Sequence, residues 1–152
     1  MLRRVAELLG FGNAPAASDQ DEARLAAAAL LMEATLADEA EHPAERAVAE
    51  RLVADRFGLC EAASRALLDL GRAAAQGSTD LVRHTRVLKQ ALDAEERIEV
   101  ITALWQVVLA DDAVDDYEDA LVRQVAGLLH VSDGDRARAR RRAMKRRTHE
   151  RA

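Results

Sequence analysis

Apolar side chains recur along this chain at intervals of three, four and seven residues. Leu25, Met32 and Leu36, with Ala28 and Ala29 between them, define one face to about residue 38. The same spacing returns in Val48, Leu52 and Val53, in Leu67 and Leu70, and in Leu81, Val82, Leu88 and Leu92. It continues through Ile98, Ile101, Leu104, Trp105 and Val108, and through Leu121, Val125, Leu128 and Leu129. This is the period of an α-helix, and no segment sustains the alternation of a strand. Punctuation supports it. Pro43 suits a first helical position, where its missing N–H costs nothing, and Gly58 suits a left-handed stop. Gly77 ends a helix running from Glu61 to Gln76, and Ser78 or Thr79 caps the next. Ser18 with Asp21, Asp93 with Glu96, Asp115 with Glu118 and Ser132 with Asp135 have the spacing of capping boxes. The expectation is an all-α fold, seven or eight helices in a single compact domain built from two related halves.

The halves come from a repeat. Residues 24–48 aligned on 97–121, an offset of 73, are identical at Arg24, Leu31, Leu36, Ala37, Asp38, Ala40, Glu45 and Ala47. Such self-similarity indicates two copies of one helical unit. Flanking it, residues 1–20 read as a short amphipathic segment and linker. Leu2, Val5, Leu8 and Leu9 share a helical face, and Gly10, Gly12, Asn13 and Pro15 interrupt regular structure. An isolated helix that short is marginal in water, so docking on the domain is expected ahead of resting on a membrane. Residues 21–135 form the helical domain and 136–152 a basic C-terminal helix.

Composition sharpens this picture at three points. Only 3% of residues are aromatic, so Leu, Val, Ile and Ala must build the core. The single Cys60 excludes an intramolecular disulfide and a cysteine-based zinc site; it is expected as a small buried apolar residue. No apolar run reaches the ~20 residues that span a bilayer. A cytoplasmic setting, with peripheral attachment to a membrane as its extension, is the expectation.

The repeat also writes an acidic turn twice. Asp38 and Glu45 in the first copy correspond to Asp111 and Glu118 in the second, where Asp112 and Asp115 add carboxylates. Residues seven apart on one continuous helix lie about 10 Å apart, too far to share an ion. A chain reversal between Asp38 and Pro43, and between Asp111 and Asp115, removes that objection. Carboxylates from both sides of a turn can then converge on a hard cation such as calcium, magnesium or manganese. Zinc is the fourth candidate. The competing reading is structural, because acids in a helix's first turn are favoured by its dipole and cap its N–H groups. The loops lack the ligand pattern of an EF-hand.

These residues resemble the TerB-like family of tellurite-resistance proteins. The resemblance rests on Leu-Ala-Asp followed seven residues after the Asp by Glu, present twice, and covers roughly residues 20–135. The family's usual motif has Gly after the Asp; here Glu39 and Asp112 stand there. The resemblance implies an all-α intracellular domain associated with stress from tellurite and other agents. It implies a divalent-metal centre at Asp38, Glu45, Asp111 and Glu118, and no enzymatic activity. No catalytic triad, phosphate loop or dinucleotide fingerprint argues otherwise.

Charge is segregated. Net charge is −5, yet residues 136–152 alone carry nine basic side chains and one Glu. Such a block points to an anionic partner or to the acidic body of the same molecule. A protein partner or a membrane surface is the expected class, and a homo-oligomer is a further candidate. Without interleaved aromatics or a recognised signature, nucleic acid is not favoured. This gives a second hypothesis, a metal-free interaction module working through the basic helix. His42 adjoins the first acidic turn and is expected as a loop residue rather than a ligand. Trp105, aligned with Met32, reads as core.

Overall fold

The structure is a computed structural model describing residues 19–36, 43–75, 80–111, 114 and 116–151. Within them are seven helices and no strand: α1 (Asp19–Leu36), α2 (Pro43–Phe57), α3 (Glu61–Ala75), α4 (Asp80–Ala91), α5 (Ala94–Val108), α6 (Asp116–Leu128) and α7 (Asp133–Arg151). The fold class is the expected one. The N-terminal segment, Ser18, Ser78, Thr79, Asp38, His42, Asp112 and Asp115 lie outside the described residues.

Two helices act as hubs. α1 packs against α2, α3, α4 and α5, and α5 packs against α1, α2, α6 and α7. They are the first helices of the two repeat copies. Because neighbours surround them, neither keeps a single apolar stripe. Ala26, Ala28, Ala29, Leu30, Leu31 and Met32 are all buried on α1, as are Ile98, Ile101, Leu104, Trp105, Val107 and Val108 on α5. A helix covered on several sides must be apolar nearly all round. The small residues of α1 also set how closely α3 can approach. A Cβ added at Gly71 would lie 2.7 Å from the Ala28 carbonyl carbon, so no side chain fits there. Substituting Ala would push two helices apart, an overpacking cost of about 1–3 kcal/mol.

The helix ends follow local chemistry. Gly58 adopts φ +65°, and the Leu59 N–H reaches back to the Ala54 carbonyl at 3.0 Å, as in a Schellman stop. At Asp93 the capping box is complete. The Glu96 N–H donates to Asp93 Oδ1 at 2.8 Å, and the Asp93 N–H donates to Glu96 Oε1 at 3.1 Å. Ser132 Oγ accepts the Asp135 N–H at 3.1 Å. Two expectations are corrected. Cys60 is exposed, because it sits at the start of α3, where Sγ accepts the Ala63 N–H. Val82 is 48% exposed, because α4 turns His84, Thr85 and Leu88 inward instead.

The basic helix α7 is part of this packing. Ala139 and Ala143 are completely buried against the core, which brings the flanking arginines onto α5. Arg142 pairs with Glu95 at 3.2 Å and also with Glu99, while Arg146 reaches Glu99 at 3.1 Å and Gln106 at 3.3 Å. The Arg140 guanidinium stands 5.1–5.5 Å class over an aromatic ring, 5.3 Å from the Trp105 centroid. Much of the segregated charge is therefore matched within the molecule.

Candidate metal centre

Each acidic turn lies between a hub helix and the helix that returns from it. α1 ends at Leu36 and α2 begins at Pro43. α5 ends at Val108, with Leu109 as its C-cap, and α6 begins at Asp116. The chain thus breaks helix where a shared ion requires it to. Glu45 is the third residue of α2 and Glu118 the third of α6. Both first turns suit a carboxylate through the helix dipole, but neither carboxylate faces water. Glu45 stands one turn before Ala49 and two before Val53, and Glu118 one turn before Val122, all of them buried. The glutamates therefore lie on the core-facing stripe of their helices, and their relative exposures are 0% and 1%.

Burial brings the two copies together. One carboxylate oxygen each from Glu45, Asp111 and Glu118 lie within 4.8 Å of one another, with Asp111 half-buried at the rim. Neither oxygen of Glu45 has a hydrogen-bond donor. Its neighbours are themselves carboxyls, which can bond to it only through a shared proton. Burial pushes the Glu45 carboxyl up to about 9, and the negative charges of Glu118 and then Asp111 push in the same direction. An acid in a dry pocket beside two others must be protonated or must meet a cation.

Three of the six carboxylates expected from sequence are thus brought to one place: Glu45, Asp111 and Glu118. Asp38, Asp112 and Asp115 lie outside the described residues. Their alignment by the repeat was the signal for Glu45 and Glu118. A second signal is the register of each Glu with the apolar residues after it, which is unusual for a surface acid.

A family profile described as Tellurite resistance protein TerB matches residues 24–141. The chain belongs to the TerB family. The match spans both acidic turns and all but the last part of α7, so the arginines that pair with Glu95 and the start of Glu99's partners fall within or beside the family's own domain. No curated protein and no solved structure matches the chain. No described helix of this TerB domain is long and apolar enough to cross a membrane.

Proposed function

We propose that this TerB domain is a non-catalytic module that binds one divalent cation through Glu45, Asp111 and Glu118. The observation that supports it is Glu45 itself, fully buried with both oxygens lacking a donor and aimed at two further carboxyls. A cation there would stabilise the ionised form of all three. The spacing suits the ion's size. Opposite oxygens around calcium, each at about 2.3–2.6 Å, are roughly 5 Å apart; around magnesium they are near 4 Å. Oxygens within 4.8 Å of each other therefore fit calcium as they stand and manganese or magnesium after a small contraction. The group contains no His or Cys, which disfavours zinc. A cation joining the first turns of α2 and α6 would tie the two repeat copies together. This suits a domain whose role in a stress response, of the kind the family's name denotes, is to bind and hold rather than to react.

The test is calorimetric titration of the chelator-stripped protein with Ca²⁺, Mg²⁺, Mn²⁺ and Zn²⁺. Saturable one-to-one binding at micromolar affinity or tighter, strongest for an oxygen-seeking ion and lost in Glu45→Ala, is the expected result. Heats no larger than dilution for all four ions would overturn the proposal.

A second reading draws on α7. Arg141 and Lys145 are exposed and take part in no ion pair, so they leave a cationic edge for an anionic protein or membrane surface. Reversing both charges should abolish binding to anionic vesicles at low salt; unchanged binding would sink this reading.

A further inference from the structure

Between α1, α2 and α5 runs a groove of about 1150 Å³, open to solvent at one side. Its floor is apolar. Ala23, Ala27, Leu52, Phe57, Val100 and Ala103 pack on the core yet stay partly exposed to the groove. Along its edge lie Asp19 and Asp55, exposed acids with no ion pair, and Arg24. The Arg24 guanidinium lies 5.1 Å from the Phe57 ring centroid, and its Nε is buried without an acceptor.

We propose that residues 2–9 of this same chain dock in the groove as an amphipathic helix. Four observations favour this occupant. First, the chain arrives at the right place: Asp19 and Gln20, where α1 begins, themselves line the groove. Residues 10–18 can span up to roughly 30 Å when extended, ample to turn back along it. Second, Leu2, Val5, Leu8 and Leu9 form one apolar face, while Arg3, Arg4 and Glu7 fall on the opposite one. An apolar face about two turns long matches the stripes that Ala23, Ala27, Val100 and Ala103 present. Third, the charges are complementary. Arg3 and Arg4 would flank Asp19 and Asp55. Fourth, the volume exceeds the ~300–1,000 Å³ typical of small-molecule sites, so a drug-sized ligand would leave part of the floor wet. A helix that ends inside the groove also brings unpaired last-turn carbonyls, acceptors of the kind Arg24 lacks. Tethering adds the effective concentration of an intramolecular partner, on the order of millimolar for a short flexible link. That favours the chain's own segment over a second copy at ordinary concentrations.

The test uses the full-length protein and limited trypsin digestion, following cleavage after Arg3 and Arg4 by intact mass. A docked helix must open before it is cut. Val5→Asp with Leu8→Asp should accelerate that cleavage about tenfold or more, since each substitution replaces a buried apolar side chain with a charge. Ala103→Glu, which alters only the groove, should accelerate it too. Thermal melts of each variant must keep a cooperative transition, and the Ala27→Glu variant serves in place of Ala103→Glu if that one does not fold. Equal cleavage rates in all forms would overturn the proposal. So would protection that rises with protein concentration, which would assign the segment to a second copy. Protection that appears only with anionic vesicles would assign it to a membrane and would equally overturn it.

Discussion

Two acidic clusters in this TerB domain are built from the same kind of side chain and have opposite electrostatics. On the outer side of α5, Glu99 is half-buried between Arg142 and Arg146, and Glu95 is shared by Arg138 and Arg142. Burial alone would raise the Glu99 carboxyl, but the bonds and charges of Arg146 and Arg142 outweigh it and hold it below the ordinary carboxylate range. At the other cluster Glu45 is more deeply buried, meets two carboxyls and has no ion-pair partner; its proton is held up to about pH 9. Evolution or chance could remove the first cluster's charge problem with arginines from α7. The second retains its problem at the centre of the fold. A buried acid kept without a counter-charge costs stability, so its persistence on the core stripe of two repeat copies is the strongest argument that something else supplies the positive charge.

The sharpest way to break this contrast is to remove Glu45. Glu45→Ala should weaken divalent-cation affinity by about a hundredfold or more, which calorimetry would read directly, because it deletes one of three charged ligands. Glu99→Gln should leave that affinity unchanged. If both variants bound the ion like the parent, the two clusters would differ only in packing.

Stability without metal should separate them by sign. Glu45→Gln keeps the shape of the protonated acid and removes its charge. At pH 8 it should raise unfolding free energy by on the order of 2 kcal/mol. Glu99→Gln leaves Arg142 and Arg146 without their shared acceptor and should lower it by about 1 kcal/mol, discounted for partial exposure. Denaturant titration in chelator reads both. Destabilisation by Glu45→Gln under these conditions would mean that Glu45 is charged and satisfied in the apo protein.

The pH dependence follows from the same shifts. The folded state holds the Glu45 proton up to about 9, whereas the ordinary value is 4.5. Between these values the folded protein carries one proton more than the unfolded chain, so stability falls as pH rises. The contribution is complete below about 4.5 and gone above about 9. Glu99 works the other way: its contribution is complete above the ordinary carboxylate range and is lost as pH falls through its lowered folded value. Thermal melts in chelator from pH 5 to 9 should therefore slope downward, and saturating cation should flatten the slope. A flat profile in both conditions would remove Glu45 as the titrating group.

What the sequence made legible was the part that depends on near neighbours. Asp93 with Glu96, Gly58 and Ser132 each announce a helix end within four residues, and each behaves so. The repeat made Glu45, Asp111 and Glu118 candidates together. Their burial was harder to foresee, since an acid in a first turn is equally at home in solvent; only its register with Ala49, Val53 and Val122 distinguishes it. Contacts across long stretches of chain left no periodic trace. Arg146 meets Glu99 from 47 residues away, so the basic helix reads as a free charge block until α7 is seen on α5. Gly71 against Ala28 is equally silent. Cys60 and Val82 misled because residue type suggests the core while local position, a helix start and an outward register, decides the outcome.

Salt gives the smallest expected effect and the finest distinction between the clusters. Arg142 and Arg146 remain about a third exposed where they meet Glu95 and Glu99. At 0.15 M ionic strength charges are screened over about 8 Å, and at 1 M over about 3 Å. Partly exposed pairs are each worth a fraction of a kcal/mol up to about 1 kcal/mol. Raising NaCl from 0.05 to 1 M should therefore loosen α7 by a few tenths of a kcal/mol, seen as faster amide exchange in residues 138–148. The hold of Ala139 and Ala143 on the core is apolar and will not weaken with it. Glu45 lies out of reach of solvent ions, so exchange in the first turns of α2 and α6 should not respond to NaCl and should slow only when a divalent cation is added. Equal salt sensitivity at both places would mean that monovalent ions reach Glu45, and that the centre is more open than its burial indicates.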